Sequence, residues 1–334
     1  MSADSFTCYL VRKVGKDKVE ASLEKKTKAD LPAGEVLIRV AYSSLNYKDG
    51  LGATGHPGVA KQFPHVPGVD AGGTVVESRA AEFSQGQAVL VTGYEMGAGQ
   101  WGGWSEYVRV PAAWVVPLPS GLSLRESMIY GTAGFTAALS VDALETHGIT
   151  PERGEVLVSG ATGGVGIVAV KLLALLGYRV VAVSGKTEKH AWLKQHGATD
   201  VIGREDADDS TSRPLLSARW AGAVDTVGGS MLATTIRSSQ IGGCVTACGL
   251  VGGADLPLTV YPFILRGVTL SGIDSAWCPR ARRIAIWNKL GGAWKLPDLE
   301  ELATSVTLGS VGEAVQRILE GKVAGRTLVE VAGE

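Results

Sequence analysis

The sequence predicts an α/β protein in two parts, an irregular all-β unit followed by a doubly wound parallel sheet, and three observations carry that prediction. The chain has 334 residues, more than a single core of ordinary size holds. Residues 1 to about 125 carry short strand-forming runs and turn residues, with few long helical patterns. From Glu155 onward β-rich runs alternate with helix-compatible ones, the pattern of βαβ crossovers in a parallel sheet.

In the first part, Val36–Tyr42 is a β-rich run, Gly72–Glu77 and Ala88–Gly93 are two more, and Trp104–Val110 alternates with period two. Arg125–Leu144 is helix-compatible. Strands are then expected at Glu155–Ser159, Arg179–Val183, Asp200–Ile202, Ala223–Asp225, Cys244–Ala247 and Val268–Ile273. Helices are expected at Val165–Leu176, Glu188–His196 and Ser230–Ser238. The tail reads as helices at Ala281–Lys289 and Val311–Glu320, then a strand at Thr327–Val331.

Composition narrows the function classes. The 32 basic and 33 acidic side chains nearly cancel and form no basic runs, so neither nucleic acid nor an anionic membrane is an expected partner. The cysteines, Cys8, Cys244, Cys248 and Cys278, are scattered and form neither a disulfide framework nor a metal-binding quartet, which fits a reducing compartment. The opening stretch MSADSFTCYLVRK has no apolar leader core. The longest apolar stretch, Ile167–Leu176, is broken by Lys171 and too short to span a bilayer. A cytoplasmic location is the expectation.

Val156 to Gly166 is a strand, a glycine turn and a helix start. It reads A-x-G-x-x-G through Ala161, Gly163 and Gly166, with alanine for the usual first glycine. Thr162, Gly163, Gly164 and Val165 are the expected pyrophosphate contacts, because a helix N-terminus offers free N–H groups and the positive end of its dipole. A glycine triplet alone is a weak signal, but strand and helix context make this a dinucleotide site. An NAD site carries a carboxylate after the second strand. Here Val183 is followed by Ser184, Gly185 and Lys186, with Arg204 after the third strand. Those groups suit a 2′-phosphate, so NADP (NADPH) is the expected cofactor; a solvated helix start is the alternative for Lys186. Leu250 and Ile264 are candidate walls for the nicotinamide, with ordinary core as the alternative. Ser275 lies at a further strand end.

Ser44–Asp49, Pro67–Gly73, Gly102–Tyr107 and Gly131–Ala137, in that order, resemble the medium-chain dehydrogenase/reductase superfamily, in its zinc-free quinone-reductase-like branch. Trp220–Gly228, Ala247–Leu250, Pro262–Arg266 and Gly272–Ser275 are similar to the acrylyl-CoA reductase subfamily. The resemblance implies a GroES-like irregular β-barrel over 1–125, a Rossmann NADP-binding domain over 126–265, and a return of 266–334 to the catalytic domain. It also implies that Tyr47, Thr132 and Arg326 reach the cofactor, Arg326 at the pyrophosphate. Zinc members carry cysteine at the position of Asn46 and Gly-His-Glu at Gly68-Val69-Asp70. Asn46 and Val69 cannot supply thiolate and imidazole, so no metal is expected. His56 and His65 lack a third ligand and read as turn residues.

The implied reaction is hydride addition to the β-carbon of an enone or enoyl thioester, acrylyl-CoA going to propionyl-CoA. Negative charge then grows on the carbonyl oxygen. Asn46 is the candidate donor there, with Asp49 orienting it; a β-turn role is the alternative for both. Tyr47 and Tyr94 are candidate proton donors, with water as the alternative. Arg266, Arg280, Arg282 and Arg283 are the cations available for coenzyme A phosphates. Cys248 reads as a packing residue, and Trp101 and Trp104 as pocket mouth or β-unit core. Two rivals share the cofactor residues: an NADPH quinone or enone reductase, and an NADPH-binding protein without turnover. A homodimer through the edge strand Val268–Ile273 is expected.

Overall fold

A computed structural model of the protein describes residues 5–15 and 18–332. Met1–Asp4, part of the stretch read as lacking a leader, lie outside the described residues. The chain divides into two compact units, residues 1–132 with 276–334, and residues 133–275.

The first unit is built on β1 (Ser5–Lys13), β2 (Val19–Thr27), β3 (Val36–Leu45), α1 (Tyr47–Ala53), β4 (Asp70–Ser78), β5 (Ala88–Thr92), β6 (Tyr107–Val110) and β7 (Val116–Pro117). Helix α2 (Leu124–Thr146) carries the chain into the second unit. It is broken at Gly131, whose φ of 49° is open to glycine at little cost.

The second unit contains β8 (Glu155–Val158), α3 (Gly164–Leu175), β9 (Arg179–Val183), α4 (His190–Gln195) and β10 (Asp200–Ile202). It continues with β11 (Trp220–Asp225), α5 (Gly229–Arg237), β12 (Ser239–Ala247), α6 (Tyr261–Arg266) and β13 (Thr269–Gly272). The chain returns to the first unit as α7 (Arg280–Leu290), β14 (Ala303–Thr307), α8 (Val311–Leu319) and β15 (Arg326–Glu330).

In the first unit, β1 and β2 form an antiparallel pair. A seven-stranded sheet runs β14-β15-β3-β4-β5-β7, with β6 also on β3. Alternation along the strands buries Val36, Ile38 and Val40 with Val89, Val91 and Val108 in one core. Phe6, Leu10, Leu45 and Trp104 fill another with Val311 and Val315 of α8. The β3–β4 register slips between Val40 and Tyr42, and Gly73 sits at that irregularity. A Cβ there would lie 2.0 Å from the Arg39 carbonyl oxygen, so only glycine fits.

The six strands of the second unit are all parallel, in the order β10-β9-β8-β11-β12-β13. Chain order therefore reverses between β8 and β11, the switch point at which such sheets bind ligands. The irregular segment from Arg204 to Arg219 has little ladder of its own. Arg237 donates to the carbonyls of Asp209, Thr211 and Arg213 at 2.6–2.9 Å, and Arg266 to that of Leu216 at 2.5 Å.

The expected borders at 125 and 265 move to 132 and 275. The first stretch of α2 belongs to the β-rich unit, and β13 completes the parallel sheet before the chain leaves it. Ile264 lies on α6, where Pro262 stands in the first helical turn and its missing N–H costs nothing. The turn expected at Asn46–Asp49 is the start of α1, with Asn46 at its N-cap.

Gly73→Ala is expected to cost about 3 kcal/mol or more, since the Cβ meets backbone that cannot move aside. Gly272→Ala on β13, with no atom within 4 Å of the new Cβ, should stay within about 0.5 kcal/mol. Urea denaturation checks both; equal midpoints would refute the steric reading.

Candidate active site

Two sets of residues carry the chemistry, one in each unit. In the second unit, β8 ends at Val158 and the chain turns through Ser159–Gly163 into α3. Gly160 has φ of 58°, and a Cβ on it would lie 2.3 Å from Thr226 Oγ1. Gly163 is the N-cap of α3. A Cβ on Gly166 would lie 2.4 Å from the Gly160 carbonyl oxygen, so this glycine lets the helix close onto the turn. The first helical bond is donated by the Ile167 N–H to Gly163 O. The first-turn N–H groups of Gly164, Val165 and Gly166 precede it and point outward, as an anion requires. Thr162 is buried at the same turn.

At the end of β9, buried Ser184 accepts the Lys186 N–H at 3.1 Å, and His190 Nε2 lies 3.0 Å from the Ser184 carbonyl oxygen. A Cβ on exposed Gly185 would lie 2.9 Å from Arg204 Nε, so the guanidinium stem crosses the glycine. Burial lowers the Lys186 pKa. Glu188 opposes that, and the charges of Lys189 and Arg204 add to it. Three cations crowd one strand end, and an anion there would relieve their repulsion. A glycine turn facing free N–H groups, followed by clustered cations, fits a dinucleotide with a 2′-phosphate.

The first unit holds a buried polar cluster. Asp70, at the start of β4, is fully buried. It accepts from Thr132 N at 2.9 Å, Thr132 Oγ1 at 2.6 Å, Asn46 Nδ2 at 2.7 Å, and Ser44 Oγ. Asp49, also fully buried, accepts from the backbone N–H groups of Asn46 and Val69, both at 2.8 Å, and from Asn46 Nδ2 at 3.0 Å. Burial, and after it the Asp70 charge, push the Asp49 carboxyl up to about 7. Arg326 is 3% exposed. Its Nε donates to Ile129 O at 2.7 Å and its Nη1 to Asn46 Oδ1 at 3.3 Å, while Nη2 is buried with no partner among the described residues.

This arrangement revises several expectations. The Asn46 amide protons are turned to Asp49 and Asp70, so the amide is committed to the cluster and does not stand as a free donor to an enolate. Asp49 acts as a helix-start acceptor for α1. Tyr47, the first residue of α1, is 43% exposed. Tyr94 is buried at φ of 54°, stacked on Trp114 at 5.3 Å, with the Arg283 guanidinium 4.4 Å from its ring centre. That packing sets it apart from an open proton donor. Arg283 is fully buried and bonds Thr92 and Ala276, Arg280 pairs with Glu82 at 2.9 Å, and Arg266 holds backbone carbonyls. Of the four candidate coenzyme A cations, Arg282 is the one with an exposed side chain.

Trp104 fills the core and donates Nε1 to Ser44 O at 3.1 Å; Trp101 Nε1 donates to Pro64 O at 2.9 Å. His65 is buried, its Nε2 3.1 Å from Gly97 O, and His56 Nδ1 accepts the Gly58 N–H, a turn contact. Cys248 Sγ is directed at the Asp225 carbonyl, and burial pushes the thiol up to about 12, the state of a packed thiol. Leu250 and Ile264 are 65% and 67% exposed. Ser275 is half-buried where the second unit ends. Sequence reasoning passed over Ser44, Asp70, Ser159 and Gly160; a carboxylate at the mouth of an apolar strand was the available signal for Asp70.

A reversed-order parallel sheet with a glycine turn into a helix N-terminus, joined in one chain to a β-rich unit with a buried Asp–Asn–Arg cluster, fits a nicotinamide-dependent oxidoreductase. Residues 32–120 match the alcohol dehydrogenase GroES-like domain family, and residues 164–282 the zinc-binding dehydrogenase family. Acrylyl-CoA reductase AcuI of Ruegeria pomeroyi is 46% identical over 314 residues, covering 94% of this chain and 95% of that one. The putative quinone oxidoreductase YhfP of Bacillus subtilis is 48% identical over 317 residues, covering 94% and 96%. The crystal structure of yhfP with NAD bound superposes with a TM-score of 0.95 over 98% of this chain and all of that one, at 46% identity. The yhdH oxidoreductase of Salmonella enterica, in complex with NADP, does so with a TM-score of 0.93 over 96% and 99%, at 47% identity. The chain belongs to the medium-chain dehydrogenase/reductase superfamily, in the quinone-oxidoreductase-like branch with the acrylyl-CoA reductases.

The Asp49 carboxyl, at about 7 in the folded protein, lies above the value of about 3.9 in an unfolded chain. Its protonation therefore favours folding: the contribution is complete below pH of about 4 and is lost as pH rises through about 7. Asp49→Asn is expected to flatten the decline of the urea midpoint between about pH 4 and about pH 7. An unchanged slope would remove Asp49 as its source.

Proposed function

We propose that the protein uses NADPH to reduce an α,β-unsaturated thioester, acrylyl-CoA to propionyl-CoA. The observation that carries this is the similarity to AcuI over nearly the whole of both chains. The phosphate-binding turn and the Ser184, Lys186 and Arg204 group support the cofactor, as does the NADP complex of the Salmonella relative.

Bound NADPH would supply a hydride to the β-carbon, and water would supply the proton that the α-carbon of the resulting enolate takes up. Thr162, Gly163, Gly164 and Val165 would hold its pyrophosphate, and Ser184, Gly185, Lys186 and Arg204 its 2′-phosphate. Arg326 has one nitrogen, Nη2, left to offer a phosphate oxygen. As charge grows on the carbonyl oxygen, a fixed donor lowers the barrier. We assign that place to the exposed phenol of Tyr47, on a helix whose start Asn46 and Asp49 fix. In this reading Asn46 and Asp49 position α1 and do not touch substrate. The carbonyl already polarises the alkene, so the proposed reaction needs no metal.

The name of the Bacillus relative favours a second reading, NADPH reduction of a quinone. Absorbance loss of NADPH separates the two. Turnover with acrylyl-CoA, unaffected by a chelator and about a hundredfold slower in Tyr47→Phe, is the expected result. Arg204→Ala should raise KM for NADPH about tenfold and leave KM for NADH unchanged. Turnover with a quinone alone would move the protein to the second reading, and equal use of NADH would overturn the 2′-phosphate assignment.

We also propose a homodimer through the edge of the parallel sheet. Strand β13 pairs on one side only. The neighbouring segments expose Leu250, Val251, Val260, Tyr261, Ile264 and Leu265, an apolar set that a monomer seldom leaves in water. Sedimentation velocity should read twice the 34.7 kDa chain mass. A monomer at micromolar concentration would exclude this interface, and Leu250 and Ile264 would then stand as nicotinamide walls alone.

A further inference from the structure

The loops at the ends of β8, β11 and β12 interlock around two adjacent residues, Asp225 and Thr226. The Asp225 side chain is 1% exposed. Its Oδ1 accepts from Ser159 Oγ at 2.7 Å, and its Oδ2 from the backbone N–H groups of Val227 at 3.2 Å and Gly228 at 2.7 Å. Its carbonyl oxygen accepts the Cys248 N–H at 3.0 Å. Ser159 completes the ring: its Oγ accepts the Thr226 N–H, and its carbonyl oxygen accepts from Thr226 Oγ1, both at 2.9 Å.

Glycines make the interlock possible. A Cβ on Gly249 would lie 1.9 Å from the Thr226 carbonyl oxygen, and one on Gly228 would lie 2.7 Å from that of Gly253. With Gly160 against Thr226 Oγ1, the chain on each side of Asp225 is held by backbone contact and has little freedom to adjust independently.

A carboxylate is an expensive choice for such a place. No ion pair is formed by Asp225 among the described residues; a hydroxyl and two N–H groups are its partners, and burial raises its pKa above the usual range. A charged acceptor makes stronger, more directional bonds to N–H groups than a neutral one. It can bind both N–H groups of the 226–228 turn on one oxygen while holding Ser159 on the other. The gain is geometric: Ser159 immediately precedes Gly160, the left-handed residue of the turn that leads into α3.

We propose that Asp225, acting through Ser159, is a positioning residue for the cofactor, setting the shape of the Gly160–Gly163 turn and coupling it to the loops that follow β11 and β12. This rests on the reading of the second unit as the NADPH-binding unit. Asp225 touches no cofactor atom in this role. Its effect should therefore fall on cofactor affinity and spare the chemical step.

The test uses the full chain, with Ser159→Ala, Asp225→Asn, Asp225→Ala and the Ser159→Ala/Asp225→Ala double variant. NADPH affinity is read by tryptophan fluorescence, the melting midpoint without NADPH by scanning calorimetry, and both KM values and kcat by NADPH absorbance with acrylyl-CoA. Asp225→Ala is expected to raise Kd and KM for NADPH about tenfold, and Ser159→Ala about fivefold. The double variant should be no worse than Asp225→Ala, because one ring is broken in each. KM for acrylyl-CoA and kcat at saturating NADPH should stay within about twofold. Asp225→Asn keeps an acceptor for the Gly228 N–H and should recover part of the loss.

Unchanged NADPH affinity in Ser159→Ala and Asp225→Asn would overturn the proposal even if Asp225→Ala failed to fold. So would a fall in melting midpoint with kcat and both KM values moving together, the mark of a merely structural role. If the wild-type chain bound no NADPH, the cofactor reading would fall and this inference with it. If it bound NADPH and the variants bound it equally well, only this inference would fall.

Discussion

Asp70 is a carboxylate with no exposure to solvent, and four hydrogen bonds from three segments answer its charge. Thr132 contributes its N–H and hydroxyl, Asn46 its amide, and Ser44 its hydroxyl. Those residues come from the last residue of the first unit along α2, the start of α1, and β3. Burial of an ion without such partners would cost several kcal/mol. The cluster therefore forms only when the strands are in register and α2 has broken at Gly131. A Cβ at Gly131 would lie 2.6 Å from Asp70 Oδ2. The helix kink, the β3–β4 pairing and the start of α1 are in this sense one constraint. Arg326 brings the C-terminal strand under it, through Asn46 Oδ1 and Ile129 O.

The second unit meets a different demand. Its parallel sheet is ordinary in order and register, and its specificity lies in the turns at the strand ends. There the chain leaves the first-turn N–H groups of α3 outside the helical ladder while the turn before it stays bonded. Glycine at Gly160, Gly163 and Gly166 provides the close approach, and Asp225 and Ser159 provide the bonds. Ser184, Lys186 and Arg204 add positive charge at the adjacent strand end, where Arg204 lies across Gly185 and would be displaced by any larger residue.

Much of this was legible in the sequence because it depends on local periodicity. The parallel strands, the long helices and the glycine turn each announce themselves within a dozen residues, and the strands at Arg179–Val183 and Asp200–Ile202 have the bounds that were read for them. What was not legible depends on partners far away in the chain. Asn46-Tyr47-Lys48-Asp49 reads equally as a turn or a helix start, and the distant Asp70 and Arg326 decide what its side chains do. Arg283 and Arg266 read as available cations because the sequence does not show the carbonyls of Thr92, Ala276 and Leu216 that occupy them. Tyr94 read as an open acid because nothing local reveals the stack it enters. The border between units shifted for a related reason: β13 was legible as a strand, but its membership of the parallel sheet is set by pairing with the distant β12.

The double duty of Asn46 limits what can replace it. Its amide holds two carboxylates with its protons and an arginine with its oxygen. Replacing it alone by the cysteine of the zinc-dependent cousins would leave Asp49 and Asp70 facing each other in a dry interior with a third acidic group beside them. Val69 would still present an alkyl side chain where imidazole is needed. The residues of the cluster are thus tied to one another, and an exchange at Asn46 calls for matching changes at Asp49, Asp70 and Arg326.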